Sequence, residues 1–229
     1  MGTSVNDTGR AGCDRRSHAN SHITTREPGR PMSRLLARAG SLSCRQPRPA
    51  AGVPELATIV ADGPFDDLEH AHQLAAMFTR VQQTCRTRLV LLGEGTHRSL
   101  VVRRAAERRL HTRLVLVEDC FGPQRSDVLA TADLVIPSPL STLSTLEETM
   151  AAGRAVVASA SPATAALVMP YSAGLLYAPG DVSAMTAAVV RLLSHPALRD
   201  EMGIRASQAA RRHHVHPLRQ WPADERKRA

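Results

Sequence analysis

The chain has 229 residues, 43% hydrophobic and 22% charged, which suffices for one globular domain with a sizeable core and excludes two full doubly wound domains. Its net charge of +8 sits at the ends: residues 1–50 hold nine Arg against three acids, residues 205–229 hold six Arg and one Lys against two, and residues 51–204 hold thirteen Arg against sixteen acids. A mildly acidic body in a chain with only six aromatics offers neither the basic face nor the stacking platforms of a nucleic-acid module, so no nucleic-acid partner is expected.

Residues 1–50 mix Ser, Arg, Pro and Gly without a sustained period and are predicted to form a disordered basic leader. Translation from Met32 is the alternative, which would leave residues 1–31 outside the protein. From Leu56 short apolar runs alternate with amphipathic segments. The runs LATIVAD (56–62), RLVLLGEG (88–95), RLVLVED (113–119), DLVIPSP (133–139), RAVVASAS (154–161) and AGLLYAP (173–179) read as strands. The intervening segments 68–85, 97–110, 123–132, 141–153, 162–169 and 181–196 read as helices, and a last helix follows Pro196. Continuous apolar strands separated by amphipathic helices require a parallel sheet covered on both faces. The expected fold is α/β, a single doubly wound, Rossmann-like half-domain of about six strands over residues 51–214, followed by a basic tail at 215–229.

In such a sheet, ligands bind beyond the carboxyl ends of the strands, where helix N-termini present free N–H groups. Three places there attract attention. Gly93-Glu94-Gly95 follows the second strand and suits either a close approach to a ligand or a simple turn. Pro137 to Ser144 closes the fourth strand with several hydroxyls, fit for a phosphate or for ordinary helix capping. Glu147 and Glu148 are adjacent on the next helix, so at most one faces a cleft.

Two stretches carry a family resemblance. Glu148-Thr-Met-Ala-Ala-Gly153-Arg-Ala-Val-Val-Ala-Ser159 is similar to E-A-M-A-x-G-x-P-V-V-A-S, and Gly174-Leu-Leu-Tyr-Ala-Pro-Gly180-Asp181 to G-L-L-V-P-P-G-D. With LVLLGEG and DLVIPSP in the same order, residues 56–212 resemble the nucleotide-sugar-binding C-terminal half of family-4 (group 1) glycosyltransferases. The resemblance implies a GT-B fold, transfer of a hexose from a nucleotide sugar with retention, and no metal or other cofactor. It implies that Glu148 matches the second Glu of E-x7-E and holds the donor ribose hydroxyls. Gly93 and Gly95 match the G-x-G turn beside the nucleotide, and Thr142, Leu143, Ser144 and Thr145 occupy the loop and first helical turn facing the diphosphate.

The chain also departs from that pattern. Leu140 stands in place of the first Glu, Thr142-Leu143 in place of a Phe-Gly pair, and Glu118-Asp119 where a glycine is usual. Where the family has G-R-x-x-x-x-K-G, this chain has Ala61-Asp62-Gly63-Pro64-Phe65-Asp66-Asp67, acids in place of the bases that neutralise a leaving diphosphate. The acceptor half expected before this domain is not recognisable in the first fifty residues. A protein partner, or a second copy of the chain, would then cover the face left open, and the acceptor stays unknown. A catalytically inactive relative that binds a nucleotide or a protein is the alternative reading, and a truncated remnant a further one.

Nothing else in the sequence forms a catalytic set. Cys13, Cys44, Cys85 and Cys120 show no C-x-x-C spacing, so zinc is not expected and reduced thiols suit a cytoplasm. His213, His214 and His216 cluster before Pro217 without an acidic partner, and His70 and His72 lie two apart on a helix. No G-x-S-x-G elbow is present. The start is too polar for a signal peptide, and no run of eighteen apolar residues occurs.

Overall fold

A computed structural model describes residues 56–118 and 123–215, with side chains as far as Arg212. The predicted leader, Met32, Cys13, Cys44, Cys120, His216 and nearly all of the predicted tail lie outside the described residues. The strands are β1 (Ala57–Asp62), β2 (Thr87–Leu92), β3 (Leu114–Val117), β4 (Leu134–Pro137), β5 (Ala155–Ser159) and β6 (Gly174–Tyr177). The helices are α1 (Leu68–Val81), α2 (Arg98–Glu107), α3 (Pro123–Ala130), α4 (Leu143–Ala151), α5 (Pro162–Val168), α6 (Val182–Ser194) and α7 (Pro196–Val215). Each apolar run became a strand, and all pair in parallel in the order β3-β2-β1-β4-β5-β6.

That order reverses direction between β1 and β4, the switch point of a doubly wound sheet, where loops diverge and a crevice opens. Side chains alternate across each strand, so the two sheet faces draw on different residues of the same runs. Ile59, Ala61, Leu89, Leu91, Leu134, Ile136, Ala155 and Val157 pack under α1, α2 and α6. Val60, Val90, Leu92 and Val135 pack under α3, while Val156 and Ala158 meet α4, α5 and the far end of α7. Both faces being covered is why the strands read as unbroken apolar runs.

The helices start where capping side chains stand. The carboxylate of Asp67 accepts from the amides of Glu69 and His70 at the start of α1, and Thr142, Ser161 and Asp181 do the same for α4, α5 and α6. Two predicted helices run shorter than their apolar pattern. α1 ends at Val81, because the amides of Gln83 and Thr84 fold back onto the carbonyls of Arg80 and Val81 in a tight turn. After α2, Arg109 turns to a left-handed φ of 58°, and a 3-10 turn over His111–Arg113 delays β3 to Leu114.

The stretches that carried the resemblance have plain folding roles. Gly153, at φ 69°, ends α4, and its carbonyl would lie 2.4 Å from a Cβ on Gly203 of α7, so these two backbones touch. Gly174 lets β6 close on β5, where a Cβ would meet the Val156 carbonyl at 2.1 Å. Gly180 makes the turn that delivers Asp181 to cap α6. Cys85 is half-buried against the core, and no described helix is long and apolar enough to cross a membrane.

Candidate functional site at the switch point

Three loops converge at the carboxyl ends of β1, β2 and β4. Gly63, just past β1, donates its N–H to the Leu92 carbonyl and accepts at its own carbonyl from the Ser141 hydroxyl at 3.2 Å. The β1 and β2 loops are further laced by bonds from Phe65 N–H to the Glu94 carbonyl and from His97 N–H to the Phe65 carbonyl. Gly95 makes this lacing possible. Its φ is 151° and a Cβ there would fall 2.4 Å from the Phe65 backbone. Gly93, at φ 102°, spends its N–H on the Val117 carbonyl and its carbonyl on Arg98, whose other guanidinium nitrogen pairs with Glu118. What the two glycines approach closely is thus neighbouring backbone.

The acids that replaced the expected bases each have a partner. Asp67 caps α1, and Asp66 accepts from both the amide and the hydroxyl of Thr96 at 2.8 and 2.9 Å, bonds that hold its carboxyl below the usual range. Asp62 is fully buried at the end of β1. A guanidinium nitrogen of Arg125 on α3 lies 2.6 Å from each of its oxygens, and the Thr149 hydroxyl of α4 donates to it at 3.1 Å. Burial raises the Asp62 pKa and Arg125 opposes the rise, so the carboxylate depends on that one cation.

Glu148 joins the same cluster. Its carboxylate lies 3.4 Å from Nε of Arg125 and is 56% exposed, so it faces solvent over the crevice while Thr149, one position on, points down to Asp62. Thr142, at the N-cap, accepts from the Thr145 amide and touches its hydroxyl at 2.9 Å. Leu143 and Ser144 form the exposed first turn, whose amides have no acceptor within the helix. The sequence-predicted residues of α4 and its cap therefore stand together at this edge, and Gly93 and Gly95 shape the loop across Gly63 from them.

Arg125 and Thr149 were not singled out in the sequence. Arg125 lies in no recognisable motif, and its meeting with Asp62 spans 63 positions. The unexplained buried-strand Asp62 was the one available signal, because a carboxylate at the end of a core strand demands a cation or donors. Among the described residues no three His, Cys, Asp or Glu side chains gather in a way that would hold a metal ion.

Solved structures share this architecture. Similar ones include the Anabaena protein HepE in complex with UDP and glucose (TM-score 0.61, 16% identity, 80% of this chain and 47% of that one). Others are a UDP-forming α,α-trehalose-phosphate synthase from Burkholderia vietnamiensis (0.60, 17%, 80% and 43%) and the sucrose-phosphate synthase of Thermosynechococcus elongatus (0.59, 22%, 70% and 42%). The chain spans less than half the length of each. No curated protein matches it in sequence. Residues 57–195 match the family described as glycosyl transferases group 1, and the chain belongs to that family.

Proposed function

We propose that this domain binds a nucleotide-sugar donor in the crevice at the β1–β4 switch point and serves as the donor half of a retaining hexosyltransferase in the cytoplasm. The observation that carries the reading is Glu148, a half-exposed carboxylate on α4 held beside Arg125 over that crevice. A carboxylate there accepts from two vicinal ribose hydroxyls at once. The first turn of α4, where Thr145 closes onto the Thr142 cap, directs the free amides of Leu143 and Ser144 toward the diphosphate. Gly93 and Gly95 set the loop that borders the nucleotide. Arg125 brings a cation to a place where the sequence offered only acids, and charge developing on a leaving diphosphate is what such a group stabilises.

The acceptor comes from a partner. Leu68, Leu140 and Leu143 open α1, follow β4 and open α4, all at the carboxyl edge of the sheet, and are 48%, 52% and 40% exposed. Apolar side chains gathered beside a polar crevice suit an interface with an acceptor-bearing chain or with a second copy.

One observation favours a second reading, nucleotide binding without transfer. Arg125 is already neutralised by Asp62 and leans on Glu148, so little net positive charge remains for a leaving group. Calorimetry of the full chain with UDP, GDP, ADP and their hexose conjugates tests the proposal, with Glu148→Gln as control. Binding that weakens at least tenfold in the variant supports the donor site. Absence of binding by every nucleotide overturns both readings, and binding without turnover in the presence of candidate acceptors selects the second.

A further inference from the structure

Arginine is divided unevenly along the body of the chain. Nine of the thirteen Arg between residues 51 and 204 fall within 80–113, beside two acids, and the other four stand against fourteen acids. The mildly acidic mean that spoke against a nucleic-acid partner therefore conceals a strongly basic stretch.

The fold gathers this stretch at one pole. α1 and α2 pack together and each carries the chain back to the amino edge of the parallel sheet, opposite the crevice of Glu148. Arg80 lies in the last turn of α1, Arg86 directly precedes β2, and Arg108 and Arg109 follow the end of α2. Gln82 ties these ends together, donating to Thr87 at the start of β2 and accepting from Arg113 before β3. Arg103 extends the charge along the outer flank of α2, two positions from each of buried Val101 and Ala105.

These charges are not spent within the fold. Arg104 pairs with Glu107 and Arg98 with Glu118, whereas Arg80, Arg86, Arg103, Arg108 and Arg109 are exposed and have no ion-pair partner among the described residues. Asp133, an acid at the same edge, is committed to Thr58 and Arg199. A lone arginine in the last turn of a helix merely complements the helix dipole. Arg86 and Arg103 lie outside any last turn, and Arg109 holds a φ of 58°, a position that helix ends commonly give to glycine.

The make-up of the pole narrows the partner. It contains no aromatic and none of the exposed large apolar side chains of the described residues. An acidic protein needs an apolar centre to its interface, and a single strand needs platforms for its bases. The charge also turns a corner, from the helix ends to the flank of α2, which a flat lipid surface cannot follow. A duplex keeps its bases inside and offers phosphates outward. From Arg103 to Arg109 the chain advances about 9 Å, and α1 lies roughly 8–10 Å away, dimensions close to the ~12 Å between phosphate rows across a major groove.

We propose that this amino-edge pole binds the phosphate backbone of duplex DNA without reading its sequence, through Arg80, Arg86, Arg103, Arg108 and Arg109.

Fluorescence anisotropy of the full chain with a labelled duplex of about 20 bp, over a series of salt concentrations, tests this. Log affinity should fall linearly with log salt, and duplexes of unrelated sequence should bind alike. Arg103→Gln combined with Arg108→Gln should weaken binding at least tenfold and flatten the salt slope by about 1.8, two phosphate contacts at ~0.9 each. Arg109→Gly relieves the backbone, so weaker binding in that variant is not a folding defect. Arg191→Gln combined with Arg205→Gln removes the same charge from α6 and α7 and should leave the slope unchanged. The proposal is overturned if no duplex binds, or if this second pair weakens binding as much as the first, which would leave net charge or the basic ends as the cause. It is equally overturned if single strands, polyglutamate or phosphatidylserine vesicles outcompete the duplex.

Discussion

Two buried polar groups at one edge of the sheet are resolved in opposite ways. Asp62 sits at the end of β1 and is closed off by Arg125 and Thr149 from two different helices. His70 sits in the first turn of α1, equally inaccessible, and has no partner at all. The first arrangement stabilises the fold only as a set, since a buried charge is tolerated when its counter-ion and donors come with it. The second is a standing cost to the fold. Satisfaction of hydrogen bonds thus separates two groups that exposure alone makes look alike.

The largest effect should come from splitting the satisfied cluster. Arg125→Ala leaves Asp62 buried without a counter-ion and should destabilise the domain by about 3–5 kcal/mol in urea denaturation at neutral pH. The paired change Asp62→Asn with Arg125→Met should recover most of that loss. A loss below ~1 kcal/mol for Arg125→Ala would show that solvent or protonation already shields Asp62.

The unsatisfied site should reveal itself through pH. The His70 pKa is depressed from 6.5 to about 4 by burial. Above pH 6.5 the ring is neutral in the folded and unfolded chain and contributes no pH dependence. As pH falls from 6.5 toward 4 only the unfolded chain takes up the proton, so stability drops, by roughly 3 kcal/mol in full, and the effect levels off below 4. Urea denaturation at pH 7 and pH 5 should show this decline, and His70→Leu should remove that part of it. The same variant should be up to ~1 kcal/mol more stable than the parent at pH 7, because an unpaired buried group is replaced by an apolar one. An unchanged pH slope in His70→Leu would mean that water reaches the ring.

Gly95→Ala probes the loops that frame the switch point. The added Cβ would strike the Phe65 backbone at a φ foreign to alanine, and a destabilisation of about 1–3 kcal/mol is expected from thermal melts. Glu148→Gln should change stability by less than ~0.5 kcal/mol, as its side chain is mostly solvated, while removing nucleotide binding. Equal stability with undiminished nucleotide affinity would move the donor site away from α4.

The alternation of apolar runs and amphipathic segments made six strands and the flanking helices legible, because each element reports its period locally. Thr142 fell within a stretch already legible as helix capping, whereas Asp67, Ser161 and Asp181 emerged as caps only in the structure. Gly153 and Gly174 serve close backbone contacts, with Gly203 and Val156 respectively. The site was less legible. Glu148 and the α4 cap were found through resemblance, whereas the acids at 62, 66 and 67 read only as losses.

What the sequence by itself determined is therefore the class of fold, the course of the chain and the residues placed at the carboxyl edge, since hydrophobic period and capping act within a few residues. Tertiary structure alone decided which of those residues meet. The pairing of Asp62 with Arg125, the lacing of Gly95 onto Phe65, and the isolation of His70 join positions from separate elements or leave one without a counterpart. Such outcomes depend on strand order and helix placement, which no local pattern encodes, and at this edge they decide which polar groups are paired within the fold and which are left without a partner.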